Sequence, residues 1–170
     1  MAEIDIQRNL EKFLSAYFEI RHEVWDIMAT SRIDIMLVHK SDTEKKYPIG
    51  IEVKIDEKKR GASLAKWIKQ SSRYSGVSWR GYGKALIVTY PQISELYLKE
   101  GELMNKHVSN DEATQGHNVA TFLSMFGIGE LQKYRNWDNT QLCRIVYKGQ
   151  RIWDMKDDVL RINNYKNLVK

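Results

Sequence analysis

The run "RIDIMLVHKSDTEKKYPIGIEVK", residues 32 to 54, constrains the fold more than any other stretch, because its two apolar alternations carry charges inside them. In a strand, residues two apart share a face. Arg32 to His39 reads as a strand with Ile33, Ile35 and Leu37 on one face and Asp34, Met36 and Val38 on the other. In "IGIEVKIDE", residues 49 to 57, Ile49, Ile51, Val53 and Ile55 line one face while Glu52 and Lys54 share the opposite one. The polar connection "KSDTEKKYP", with a proline close before the second strand, predicts an antiparallel hairpin. That pairing would gather Asp34, Glu52 and Lys54. Burying such charges is costly unless they pair or bind an ion. Three readings follow: a solvated sheet face, a structural ion pair, or a reaction site.

Periodicity places the other elements around this hairpin. From Ile4 to Tyr17, apolar Ile6, Leu10, Phe13, Leu14 and Tyr17 recur at helical spacing. "EIRHEVWDI" alternates like a strand, with "MATS" as its turn. Beyond the hairpin, "DEKKRGAS" is a charged loop, and Leu64, Trp67, Ile68 and Ser71 mark the inward face of a helix running to about Tyr74. "GVSWRGYG" reads as a glycine-rich loop with exposed-looking aromatics, in which Trp79, Arg80 and Tyr82 either contact a nucleotide by stacking or through phosphate or belong to a simple turn. "KALIVTY" is a continuous apolar strand ended by Pro91, as expected at a sheet centre covered on both faces. Ile93 to Met104 reads as helical, "NKHVSNDEATQGH" as a loop, and "NVATFLSMF" as a short helix entering the structural turn "GIGE". "QLCRIVYKGQRIWD" closes with two strands around Lys148-Gly149. Helix, three strands, helix and strand, followed by a less regular tail, give an α/β fold: a mixed sheet flanked by helices.

Composition narrows the setting. At 170 residues the chain is read as one domain, 1-170, with 42% hydrophobic and 29% charged residues, which is ordinary for a globular protein. Its apolar runs fall far short of the roughly 20 residues of a membrane span, and "MAEIDIQRNLEK" lacks a signal peptide's apolar stretch. A cytoplasmic protein with no membrane partner is expected. The single Cys143 excludes an intrachain disulfide and a multi-thiolate metal site, and in "QLCRIVY" it reads as a packing residue. His22, His39, His107 and His117 show no metal-ligand spacing. With 27 Lys and Arg against 22 Asp and Glu, the balance suits a polyanionic partner.

Magnesium takes oxygen ligands and is usually held by one or two carboxylates, with water and substrate phosphate completing the shell. Asp34 and Glu52 have that character. Such an ion lowers the pKa of coordinated water and neutralises charge on a phosphoryl oxygen, and a lysine beside it orients the water and offsets developing negative charge.

"SRIDIML" followed by "IGIEVK" resembles the motif of the PD-(D/E)XK nuclease superfamily, an acidic residue on one strand and Glu or Asp, any residue, then Lys on the next. "QSSRY" is similar to the Gln-x-x-x-Tyr feature on the following helix in the resolvase-like and recombination-exonuclease-like branches, with Gln70 and Tyr74 on one helix face. The likeness spans roughly residues 4 to 90 and implies a restriction-endonuclease-like core of order αβββαβ with a C-terminal α+β extension. It also implies Asp34 and Glu52 as ligands of Mg2+, with Mn2+ as substitute, the Val53 carbonyl as a third oxygen, and Lys54 at the attacking water. Gln70 would support the site or the DNA. An acid on the first helix is expected as well: Glu11 is the candidate, with Glu3, Glu19 and Glu23 as competitors. No proline directly precedes Asp34, a departure from the family name.

The implied activity is metal-dependent hydrolysis of DNA phosphodiesters, with endonucleolytic cutting favoured, in repair, recombination, or viral or mobile-element processing. Lys58, Lys59, Arg60 and Lys66 are either a solvated loop and helix start or, beside a metal site, holders of phosphates, and a symmetric homodimer would suit paired cuts. The alternative is a non-catalytic nucleic-acid-binding or assembly protein on the same fold. Tyr74 is expected to pack rather than react.

Overall fold

A computed structural model describes residues 2–54, 60–91 and 123–168. In chain order the elements are α1 (Glu3–Leu14), β1 (Phe18–Trp25), β2 (Arg32–His39), β3 (Ile49–Val53), α2 (Arg60–Ser75), β4 (Leu86–Tyr90), β5 (Ile128–Arg135), β6 (Gln141–Tyr147), β7 (Gln150–Asp154) and α3 (Ile162–Leu168). The strands form one open sheet in sequence order. Pairings β1/β2 and β2/β3 are antiparallel, β3/β4/β5 are parallel, and β5/β6/β7 are antiparallel again. Short loops suffice for the antiparallel pairs, whereas parallel neighbours require a crossover. For β3 to β4 that crossover contains α2. Among the described residues no helix is long and apolar enough to cross a membrane.

Both faces of the sheet are covered. Leu10 and Leu14 of α1 pack with Ile35, Leu37, Ile49, Ile51 and Val88 on one face. On the other, Tyr74 of α2 packs with Met36, Trp79 and Ile87, while Trp67 packs with Leu123 and Ile128. The middle strand of the seven is β4, and Leu86, Ile87, Val88 and Thr89 are all buried, which is why "ALIVT" shows no polar alternation. The sheet curls enough for Phe18 of β1 and Trp153 of β7 to meet edge to face at 4.8 Å.

Several expectations are corrected. The "GIGE" segment is not a turn as a whole: Gly127 turns with φ +77°, but Ile128, Gly129 and Glu130 begin β5 and pair with Ile87, Val88 and Thr89. Two glycines mask the strand in sequence, yet Gly129 is there because a Cβ would lie 2.7 Å from the Val146 carbonyl oxygen. The α+β extension expected at the C-terminus continues the same sheet through β5, β6 and β7. Trp79 is not presented for stacking. It is fully buried and meets Tyr74 edge to face at 5.4 Å, because the 76–85 loop folds inward to plug the α2 face. Arg80 Nε donates to the Asp26 carbonyl at 3.0 Å, which ties this loop to the turn after β1. Tyr74 packs, as its position on α2 implied.

Ile33 also departs from the expected alternation, because it joins Met36 and Ile87 on the α2 face while Ile35 and Leu37 face α1. The β1/β2 ladder pairs His22 with Ile35 and Val24 with Ile33, and between them Glu23 adopts φ 51°. A left-handed residue in one strand breaks the pleat beside it. The irregularity therefore falls at Asp34. The segments expected as a helix from Ile93 to Met104, the loop after it and most of "NVATFLSMF", together with Lys58, Lys59, His107 and His117, lie outside the described residues.

Candidate functional site

The β2/β3 ladder runs Leu37–Ile49, Met36–Gly50 and Ile35–Ile51. One further step in that register sets Asp34 opposite Glu52, and there the strands part. The gap is bridged by a side chain: Val53 N–H donates to Asp34 Oδ2 at 2.7 Å. On its other side β3 stays in step with β4, and Lys54 N–H donates to the Tyr90 carbonyl at 3.0 Å. Lys54 Nζ lies 2.6 Å from Glu52 Oε1. Asp34, Glu52 and Lys54 are thus gathered at the C-terminal end of β3, the edge of a parallel sheet where ligands commonly bind.

Burial sets the electrostatics of the trio. Glu52 is 1% exposed, and that desolvation, reinforced by the nearby Asp34 charge, pushes its carboxyl up to about 7 against the pull of Lys54. Asp34 is also raised by burial, with the Val53 amide and the charges of Lys54 and Arg32 acting in opposition. Burial lowers the Lys54 ammonium, but its hydrogen bond to Glu52 and the surrounding carboxylates outweigh this and leave it raised. Two acids held together in low dielectric favour a bound cation or proton between them.

The row continues across the sheet. In the parallel registers Glu52 stands beside Thr89, and Thr89 beside Glu130. All three are buried. Glu52 Oε2, Thr89 Oγ1 and Ser71 Oγ of α2 are buried without a hydrogen-bond partner among the described residues. Gln132 Nε2 donates to Glu130 Oε2 at 3.3 Å and Arg144 Nε to Gln132 Oε1 at 2.9 Å, so the polar row reaches β6. A hydroxyl in the apolar run "LIVTY", two places beyond Ile87, was the signal for Thr89, while Glu130 was hidden by the reading of "GIGE" as a turn.

Not every expected residue joins the trio. Glu11 is engaged with His22 at 3.1 Å. The α1 acid that the trio feels is Glu3, whose carboxyl is raised by burial and by Asp34 and lowered by Lys54 and Arg32. Gln70 Nε2 donates to the Tyr74 hydroxyl at 2.7 Å, which is the contact their four-residue spacing allows. His39 is a buried structural link, bonded to Ser41 and Asp158 at 2.7 Å each. Cys143 is buried, and desolvation pushes its thiol up to about 12, which leaves it inert.

No protein-family model matches this chain, and neither a curated protein nor a solved structure does so. What the site can do follows from its own chemistry. Among the described residues no group of three or more His, Cys, Asp or Glu side chains is placed to hold a metal ion by itself. A hard cation that keeps water and takes substrate oxygens needs only one or two carboxylates. Asp34 and Glu52, with an unpartnered buried Oε2 on Glu52, fit that demand.

Proposed function

We propose that this chain is a Mg2+-dependent deoxyribonuclease of the PD-(D/E)XK type, with a restriction-endonuclease-like core, that cuts DNA endonucleolytically. The observation that carries the proposal is the convergence of Asp34, Glu52 and Lys54 where β2 and β3 part. In this reading Asp34 and Glu52, with the Val53 carbonyl, would hold the ion, which would supply charge neutralisation and an acidified water. Lys54 would orient the attacking water and offset negative charge on the phosphate oxygens. Val53 is fixed for its part by its own N–H on Asp34. Gln70 and the exposed Lys66 serve the DNA. The excess of basic over acidic residues favours the same polyanionic substrate.

The test is a cleavage time course on supercoiled, linear, single-stranded and four-way-junction DNA with magnesium, manganese or EDTA. Divalent-dependent cutting that is lost in Glu52→Gln and in Lys54→Ala is the expected result. No cutting on any substrate, with DNA binding that both variants retain, would replace it with a non-catalytic binding protein.

A further inference from the structure

A second set of residues that invites a ligand lies at the opposite end of β3. The loop before that strand supplies Lys45, Lys46 and Tyr47, the loop before β4 supplies Tyr82 and Lys84, and α3 adds Tyr165 and Lys166; together they line a cavity of about 370 Å³. That volume is in the range of small-ligand sites, roughly 300 to 1,000 Å³. The length of β3, about 15 Å at strand rise, separates it from Glu52 and Lys54.

Its floor is fixed. Tyr165 donates its hydroxyl to the Pro48 carbonyl at 2.6 Å and meets Tyr47 edge to face at 5.3 Å. The Asp42 carboxylate accepts the Lys46 N–H at 3.0 Å and the Tyr47 N–H at 2.8 Å. Lys45 N–H donates to the Asp42 carbonyl at 3.1 Å, and Lys45 holds φ 53°. The loop therefore presents its two lysines in a set conformation.

Its rim is positive. Four lysines converge on the cavity. On the same loop the Asp42 carboxylate is engaged by backbone amides, and Glu44 pairs with Lys46 and offsets its charge. Lys166 Nζ lies 5.9 Å from the centre of the Tyr47 ring. Ammonium groups around aromatic rings match a ligand that joins phosphate to a flat base.

We infer that this cavity is a nucleotide-binding subsite, in which Lys45 of the β2–β3 loop and Lys166 of α3 hold phosphate and Tyr82 and Tyr47 take the base. The ligand is a phosphorylated nucleotide, free or as one unit of a nucleic-acid strand. The inference does not rest on the cleavage proposal, because binding is read in EDTA without cutting.

The experiment follows anisotropy of a short fluorescent 5′-phosphorylated oligothymidylate on the full chain in EDTA, with unlabelled ATP and heparin as competitors. The variants are Lys45→Glu with Lys166→Glu, both exposed positions, and Tyr82→Leu, which keeps an apolar side chain against the buried cluster of Ile33, Met36, Tyr74 and Trp79. Thermal melts establish that each is folded. The double lysine variant is expected to weaken binding tenfold or more and to lower the salt slope by about 2. Tyr82→Leu is expected to cost roughly tenfold for the oligonucleotide while leaving heparin unaffected. Displacement by ATP at matching concentration assigns a free nucleotide, displacement by oligonucleotide alone assigns a strand, and both uphold the subsite. Wild-type affinity in the lysine variant, or in Tyr82→Leu, overturns it.

Discussion

The Asp34 carboxylate on β2 accepts the Val53 backbone N–H of β3 at 2.7 Å, one step past the last paired residues, Ile35 and Ile51. A side chain thus replaces the ladder where the two strands part. The same group that ties the strands together faces Glu52, so structure and proposed chemistry meet in one residue.

Asparagine and alanine should separate those two roles at Asp34. Asp34→Asn keeps an acceptor for Val53 and is expected to fold with near wild-type stability, while Asp34→Ala leaves the amide unpaired at a cost of about 1–3 kcal/mol. Both should lower divalent-dependent cutting on the order of a hundredfold or more, as expected for loss of a ligand worth several kcal/mol. Urea melts beside cleavage rates make the comparison. Wild-type cutting by Asp34→Asn would sink the ligand assignment.

Glu3, rather than Glu11, is expected to matter on α1. Glu3 lies in the field of Asp34 and Lys54, whereas Glu11 is engaged with His22. Glu3→Gln should weaken apparent Mn2+ affinity roughly tenfold, the lower range for groups that support a metal site, and Glu11→Gln should leave it unchanged. Isothermal titration with Mn2+ reads the difference. Equal effects would remove α1 from the site.

Asp154 gives the fold a defined pH dependence. Burial alone would raise its carboxyl, but the Tyr134 hydroxyl at 2.5 Å, the Lys156 amide at 3.0 Å and Arg151 hold it below the ordinary 3.8. A folded value below the unfolded one means stabilisation that is complete above 3.8 and lost as pH falls through the folded value. Asp154→Asn should therefore be less stable by about 1.5–3 kcal/mol at neutral pH. The gap to wild type should narrow below pH about 4. Chemical melts at both ends of that window decide it, and a gap that ignores pH would contradict the assignment.

Two glycines in the sheet should respond unequally to alanine. At Gly129 a Cβ meets the Val146 carbonyl oxygen at 2.7 Å, while at Gly50 it meets the Ile87 Cδ1 tip at 3.0 Å and Ile33 at 3.2 Å. A backbone oxygen locked in the β5/β6 ladder cannot yield as a side-chain terminus does. Gly129→Ala is expected to cost about 1–3 kcal/mol as an overpacked site, and Gly50→Ala clearly less. Comparable melting temperatures for the two variants would refute this reading of β5.

The chain's pattern determined much of this by itself. Arg32–His39 is a strand over the residues its alternation marks, Lys148-Gly149 turns the β6/β7 hairpin with both residues at positive φ, and the unbroken "LIVTY" lies at the sheet centre. Those features are local, since period and turn chemistry act between residues a few places apart. The pairing of Glu52 with Lys54 was legible for the same reason: two places along a strand is one face.

What lay outside the sequence pattern depends on contacts between distant segments. "GIGE" became a strand because β4 offered Gly129 a parallel partner and Val146 left no room for a side chain. Trp79 looked presentable between glycines, yet Tyr74 and Arg80 draw its loop onto the sheet. Only the tertiary structure could set Glu3 in the field of Asp34 and Glu11 against His22, because α1 must be docked before either acid has a neighbour outside its own helix. The sequence fixes which residues are able to pair, fold or charge a face, and packing decides which of them share a low dielectric, where proximity changes a carboxylate's chemistry.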